Sequence, residues 1–226
     1  MVGVQKGKAD SKKKTEDQDN FIKAFFSKYG KVLMVFAIAV LVLVVVVVVV
    51  TEVNKSRLES STLAAEQLEE LYFSYLTSEE ESDAQPVIQL AQSIIDRYGN
   101  TIAAQRAYFF LGLVAENKEN HDDAARYFHN LASIRVSSHL VEVALIRAFQ
   151  NAEIAGNLSY AEELLQQLVT SYPNGIQTPR ALYNLGRLAE LQMNTPKALE
   201  FYTTLTLEFP LSNWTSLAKG RIISLE

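Results

Sequence analysis

The sequence predicts an all-α protein: a superhelical stack of antiparallel helix pairs behind one apolar N-terminal helix. Three observations carry that expectation. Twenty residues, Val32 to Thr51, contain no charge, no Pro and no Gly. Beyond them apolar residues recur at three- and four-residue intervals with almost no strand pattern. The chain also resembles itself at a step of 37 residues.

The first element is the apolar stretch "KYGKVLMVFAIAVLVLVVVVVVVTEVNK", Lys28 to Lys55. A twenty-residue helix spans about 30 Å, the thickness of bilayer hydrocarbon. A cleaved signal has an apolar core of roughly 7 to 15 residues followed by a small-x-small site. Here the run is longer and ends in Val-Val-Thr-Glu-Val. A buried helix of a soluble core fits poorly, because seven consecutive Val residues form no amphipathic face and favour helix weakly in water. Lipoprotein anchoring needs a Cys, and the chain has none. The stretch therefore reads as a membrane span. Its N-terminal flank, residues 1–31, holds eight Lys, against Lys55 and Arg57 close on the other side. The positive-inside rule then puts the N-terminus in the cytoplasm and, in a bacterium, residues 52–226 in the periplasm beyond the inner membrane.

Charge divides in the same place. The tail is net +4 and the remainder net −9. An acidic unit repels phosphate backbones, which argues against nucleic acid as a partner. The basic tail suits anionic lipid, and its first 18 or so residues have a composition that predicts no fixed structure. The 175 or so residues after the span are enough for one folded unit with a sizeable core. Lack of Cys leaves no disulfide to form in an oxidising compartment.

Within residues 52–226, "AYFFLGLVAENKENHDDAARYFHNL" from Ala107 aligns with "ALYNLGRLAELQMNTPKALEFYTTL" from Ala181, and "ALIRAFQNAEIAGNLSYAEELLQQL" from Ala144 lies midway. Ala124, Ala161 and Ala198 are each 37 apart, as are Phe128, Leu165 and Tyr202. Pro173 and Pro210 keep the step and stand where a helix should stop. Four repeats are expected, near 68–104, 105–141, 142–178 and 179–215, the first the weakest, followed by a terminal helix that covers the last apolar face.

The pattern L-G-x-x-A, twelve residues from that Gly to an Ala, then an aromatic four residues on and a Pro beyond, resembles the tetratricopeptide repeat. The resemblance implies a tetratricopeptide-repeat-like superhelix in which Gly112, Ala124, Ala161, Gly186 and Ala198 allow close packing within each hairpin. The middle copy departs from it, with Phe149 where Gly is usual. The family's period is 34, so three residues are added between hairpins. The order of parts, a Lys-rich tail with "FIKAFFSKYGKVL", one span and an acidic repeat unit, also resembles the YfgM-like periplasmic ancillary subunits of the bacterial Sec translocon. Lipoproteins of outer-membrane assembly have similar repeats but are anchored through a Cys.

No catalytic or metal-binding pattern emerges, so no enzyme activity and no cofactor are expected. His121, His129 and His139 lack ligand spacing such as H-E-x-x-H and read as solvated or capping residues. "SEEESD", Ser78 to Asp83, lacks the alternating oxygens and turn Gly of a calcium loop and reads as a solvated turn. The better candidate is a surface. In tetratricopeptide arrays the first helix of each pair lines a groove. One equivalent position on that helix holds Tyr72, Phe109, Ile146 and Tyr183, flanked by Arg106, Arg180 and Arg187, which suit a partner's carboxylates. The competing role for these side chains is packing between helices and weak surface ion pairs. The function expected is a membrane-anchored protein-interaction module, a scaffold or chaperone-like helper of secretion whose partners are translocon subunits or exported chains. The alternative is a structural envelope protein acting by bridging or self-association.

Overall fold

The computed structural model describes the backbone at residues 4–77, 84–136 and 138–226, and side chains at 23, 27–77, 84–136 and 138–226. The expected solvated turn at 78–83 lies outside the described residues. Among the described residues the elements are all helices: α1 (Val4–Thr77), α2 (Ala84–Tyr98), α3 (Ile102–Asn117), α4 (His121–Ser133), α5 (Leu140–Ile154), α6 (Leu158–Ser171), α7 (Thr178–Leu191), α8 (Thr195–Glu208) and α9 (Asn213–Leu225). They form two compact units, Met1–Leu58 and Glu59–Glu226.

The first unit is the N-terminal part of α1. Its most apolar 18-residue window has a mean hydropathy of 3.7, and none of that window is buried. By length and composition this helix can cross a bilayer. Seven Val in a row would weaken a helix in water, but lipid leaves the backbone no partner except itself. The hydroxyl of Thr51 is satisfied in the same way, donating to the Val48 carbonyl at 2.8 Å. The helix begins at Val4, so the tail backbone is helical where composition predicts no order. Lys, Ala, Glu and Gln are good helix formers, and no Pro interrupts them before the apolar run.

In the second unit each helix from α2 onward packs on the next, and α3 meets α5 as α7 meets α9. That is a stack of hairpins with first helices side by side. The hairpin turns repeat the 37-residue step in their backbone. Glu119, Gly156 and Met193 all adopt left-handed φ, at 55°, 80° and 58°. Each is followed by an Asn, at 120, 157 and 194, whose side chain accepts from the backbone N–H of Asp123, Tyr160 or Lys197. A left-handed residue ends one helix and an Asn cap starts the next, which reverses the chain within three residues.

Two of the connections between hairpins, 134–139 and 172–177, are six residues long. They are tied down from the helices. Gln105 donates to the Val136 carbonyl at 2.9 Å. The Thr178 hydroxyl donates to the Tyr172 carbonyl. Thirty-seven residues on, Thr215 donates to the Phe209 carbonyl at 2.6 Å. The repeat register thus continues into α9.

Small residues face large ones inside each hairpin. A Cβ added to Gly112 would stand 2.6 Å from the Phe128 ring, and one added to Gly186 would stand 2.5 Å from the Tyr202 ring. In the middle hairpin the sizes are exchanged: Phe149 from α5 is buried in one cluster with Leu165 of α6, which occupies the Phe128 position of its repeat. Ala124, Ala161 and Ala198 are fully buried at the equivalent site on each second helix. Leu68 and Tyr72 of α1 share a core with α2 and α3, and Trp214 and Ala218 of α9 pack on Tyr202 and Leu205.

Candidate functional site

The seven residues expected to face a partner separate in space. Tyr72 is buried, with its ring 5.0 Å from that of Phe110. Phe109 is half-buried and meets Phe128 edge-on at 5.6 Å, with the Arg147 guanidinium over both rings. Tyr183 lies between Tyr202 at 5.7 Å and Trp214 at 5.3 Å. Arg106 is paired with Glu69, and Arg187 with Glu153 at 2.6 Å. Ile146 and Arg180 come together in a groove.

That groove has a volume of about 550 Å³ and crosses α3, α5 and α7, the first helices of consecutive hairpins. Ile146 forms a buried apolar floor, while Val143 and Ile154 are exposed beside it. Arg147 and Asn151 supply its polar wall, and both donate to Glu116, at 2.5 and 2.6 Å. Arg180 enters from the first turn of α7, where the helix end adds positive potential. Its Nε is buried and, among the described residues, without a hydrogen-bond partner. Its guanidinium lies 5.9 Å from the Trp214 ring centre, and burial pushes its pKa below the usual value.

The sequence reading passed over a ladder of ion pairs between neighbouring hairpins. Glu116, Glu153 and Glu190, each 37 apart, accept from Arg147, Arg187 and Arg221, and Lys197 reaches Glu162 at 2.6 Å. The hydrogen bond from Arg221 holds the Glu190 carboxyl below its ordinary range, and that from Lys197 does the same for Glu162. Burial first, and then the bond it donates to Glu190 at 2.5 Å, pushes the Tyr202 hydroxyl well up. These pairs are partly exposed, so each contributes at most about 1 kcal/mol; together they hold register between hairpins. The signal that could have found them is the shared step of the three Glu.

The histidines also differ from expectation. His129 is partly buried and bridges helices: its Nδ1 shares a hydrogen bond with the Tyr160 hydroxyl at 2.8 Å and its Nε2 one with Gln167 at 3.0 Å, linking α4 to α6. His121 Nδ1 shares one with Asn151 at 2.8 Å. Stacking brings these side chains together from positions about 30 to 40 residues apart, beyond the reach of local spacing. His139 does occupy the N-cap position of α5, without a side-chain cap bond.

Stacked hairpins, nested small and large residues and an open groove across first helices define a helical-repeat protein, a class that works by binding other proteins. The chain belongs to the tetratricopeptide repeat-like family: a model of that domain matches residues 23–175, and a tetratricopeptide repeat model matches residues 180–212. A TPR repeat-containing protein of Treponema pallidum (strain Nichols) is 33% identical over 90 residues, which cover 39% of this chain and 36% of that protein. The chain thus spans about a third of the length of that relative. Among solved structures, the TPR-like repeats of a Podosopora anserina kinesin light chain are similar at a TM-score of 0.48 and 11% identity, covering 75% of this chain and 85% of that one. A variant of the same repeats gives 0.47 and 12%, with the same coverage.

Proposed function

We propose that the chain is a single-pass protein of a bacterial inner membrane, with its N-terminus cytoplasmic and its repeat unit periplasmic, and that the repeat unit binds protein segments beside the secretion machinery as a scaffold or chaperone-like helper. The observation that carries the binding role is the groove across α3, α5 and α7, where Val143 and Ile154, exposed beside the buried Ile146, offer apolar surface to a passing chain. Tyr72, Phe109 and Tyr183 back the same row of helices, and Arg106 and Arg187 hold that row together. An unburied apolar window supports the anchor, and the Lys excess before it supports the orientation. Tethering to the membrane raises the effective concentration of the groove for membrane-associated partners, which turns modest affinity into useful occupancy. The likeness in layout to the YfgM-like subunits of the Sec translocon points to translocon subunits or exported chains as partners.

The chain has no Cys, so each introduced Cys is unique. A membrane-impermeant maleimide should label Ser216→Cys but not Lys14→Cys in cells with a permeabilised outer envelope; the reverse pattern would overturn the orientation. A photo-crosslinking residue at Val143 should capture translocon subunits or exported chains. Capture of the same chain instead would favour self-association, a reading supported by Leu211 and Ile223, 98% and 77% exposed at the C-terminal end of the stack.

A further inference from the structure

Arg180 is the cation of the groove without an anion. Along the rest of the ladder, guanidinium groups on first helices meet carboxylates of the preceding first helix: Arg106 meets Glu69, Arg147 meets Glu116, Arg187 meets Glu153 and Arg221 meets Glu190. Among the described residues nothing accepts a hydrogen bond from Arg180, although its Nε is buried. Glu116, the carboxylate that lines the same groove, and Glu142 are engaged elsewhere. Glu116 serves Arg147 and Asn151, and Glu142 accepts from the Gln177 N–H at 2.9 Å. A guanidinium nitrogen buried without a partner is unfavourable, so its place in a groove suits a ligand that matches the group.

The surroundings narrow that ligand. The face of Trp214 lies against one side of the guanidinium, leaving its fork of donors for a planar acceptor. The N-terminal end of α7 adds a field of the same sign. Ile146, Val143 and Ile154 make the neighbouring wall apolar. The groove crosses three helices, so a chain can pass through it without ending there.

We propose that Arg180 anchors an Asp or Glu side chain within a segment of a protein partner, with an apolar residue beside that acid lying against the exposed Val143 and Ile154. This rests on the groove being the partner-binding face, and adds the chemistry that selects the partner. A carboxylate on the Arg180 fork gains charge-assisted hydrogen bonds and removes the mismatch of the empty site.

The test uses the full chain in detergent micelles and three fluorescein-labelled pentapeptides: amidated Ala-Leu-Glu-Leu-Ala, its Gln counterpart, and the Gln counterpart with a free C-terminus. Anisotropy reports affinity, and Trp214, the single Trp of the chain, reports occupancy at the site. The Glu peptide is expected to bind at least about tenfold tighter than the amidated Gln peptide. Arg180→Gln should erase that difference, Arg180→Lys should retain part of it, and Arg180→Gln should leave the melting temperature unchanged or raised. Four results would each overturn the proposal: no saturable binding of the Glu peptide, equal binding of the amidated pair, a Glu preference that survives Arg180→Gln, or binding of the free-terminus peptide alone. None of these touches the wider reading, which stands or falls on crosslinks from Val143 in cells.

Discussion

Replacing glycine by alanine at two helix positions should move stability in opposite directions. In α3, a Cβ on Gly112 would lie 2.6 Å from two atoms of the Phe128 ring and 2.8 Å from a third. That ring is fully buried, so it must give way inside the core. In α9, a Cβ on Gly220 would meet nothing within 4 Å. Helix propensity favours Ala over Gly by about 1 kcal/mol at either site. Overpacking costs typically 1–3 kcal/mol, so Gly112→Ala should lose up to about 2 kcal/mol net, whereas Gly220→Ala should gain up to about 1 kcal/mol. For a unit of this size each kcal/mol corresponds to roughly 2–4 °C in melting temperature. Thermal unfolding of the full chain in detergent, followed by circular dichroism, provides the measurement. Trp214 fluorescence checks that the C-terminal hairpin melts with the rest, because repeat arrays need not unfold in one step. If Gly112→Ala stabilised the chain as much as Gly220→Ala, the argument that missing side chains let the hairpin close would be refuted.

Three further outcomes follow from the same packing. Phe149→Ala should cost about 3–5 kcal/mol, and Phe149→Gly combined with Leu165→Phe should recover part of that loss, since the pair restores the Gly-and-ring arrangement of its neighbours; urea unfolding of single and double variants checks both. Glu190 has a folded-state pKa below its unfolded value of 4.5, so its contribution is complete above about pH 4.5 and is lost as pH falls through the folded value. Glu190→Gln should therefore flatten the acid limb of a stability-against-pH curve and leave its slope above pH 6 unchanged. Met193 is 93% exposed and left-handed, so Met193→Gly should stabilise the α7–α8 turn by about 0.5–1 kcal/mol, read as a higher urea midpoint.

Much of the fold was legible because its causes are local or periodic. Helix periodicity and the 37-residue step pointed to the all-helical superhelix of helix pairs, and Gly112 and Gly186 do lie against the rings of Phe128 and Tyr202. The Asn caps at 120, 157 and 194 and the Glu row at 116, 153 and 190 keep that step too and were open to the same comparison. The candidate site was legible in part. An apolar or aromatic residue at 72, 109, 146 and 183 belongs to a repeated helix face, but a face can look to a neighbouring helix or to a groove, and sequence spacing is the same for both.

What the sequence by itself determined is the order of parts: a basic tail, an apolar helix long enough to cross a bilayer, and helix pairs stacked in a constant register, because each follows from charge, length and period along one chain. What only the tertiary structure decided is pairing. Phe149 fits a repeat that usually has Gly there because its partner position holds Leu165 in place of a ring, a compensation between two helices. Arg106 and Arg187 find carboxylates on the preceding hairpin while Arg180 finds none among the described residues, though all three are arginines on first helices. Those outcomes depend on distances across the stack, set when side chains 30 to 40 residues apart pack together, and no local pattern of residues encodes them.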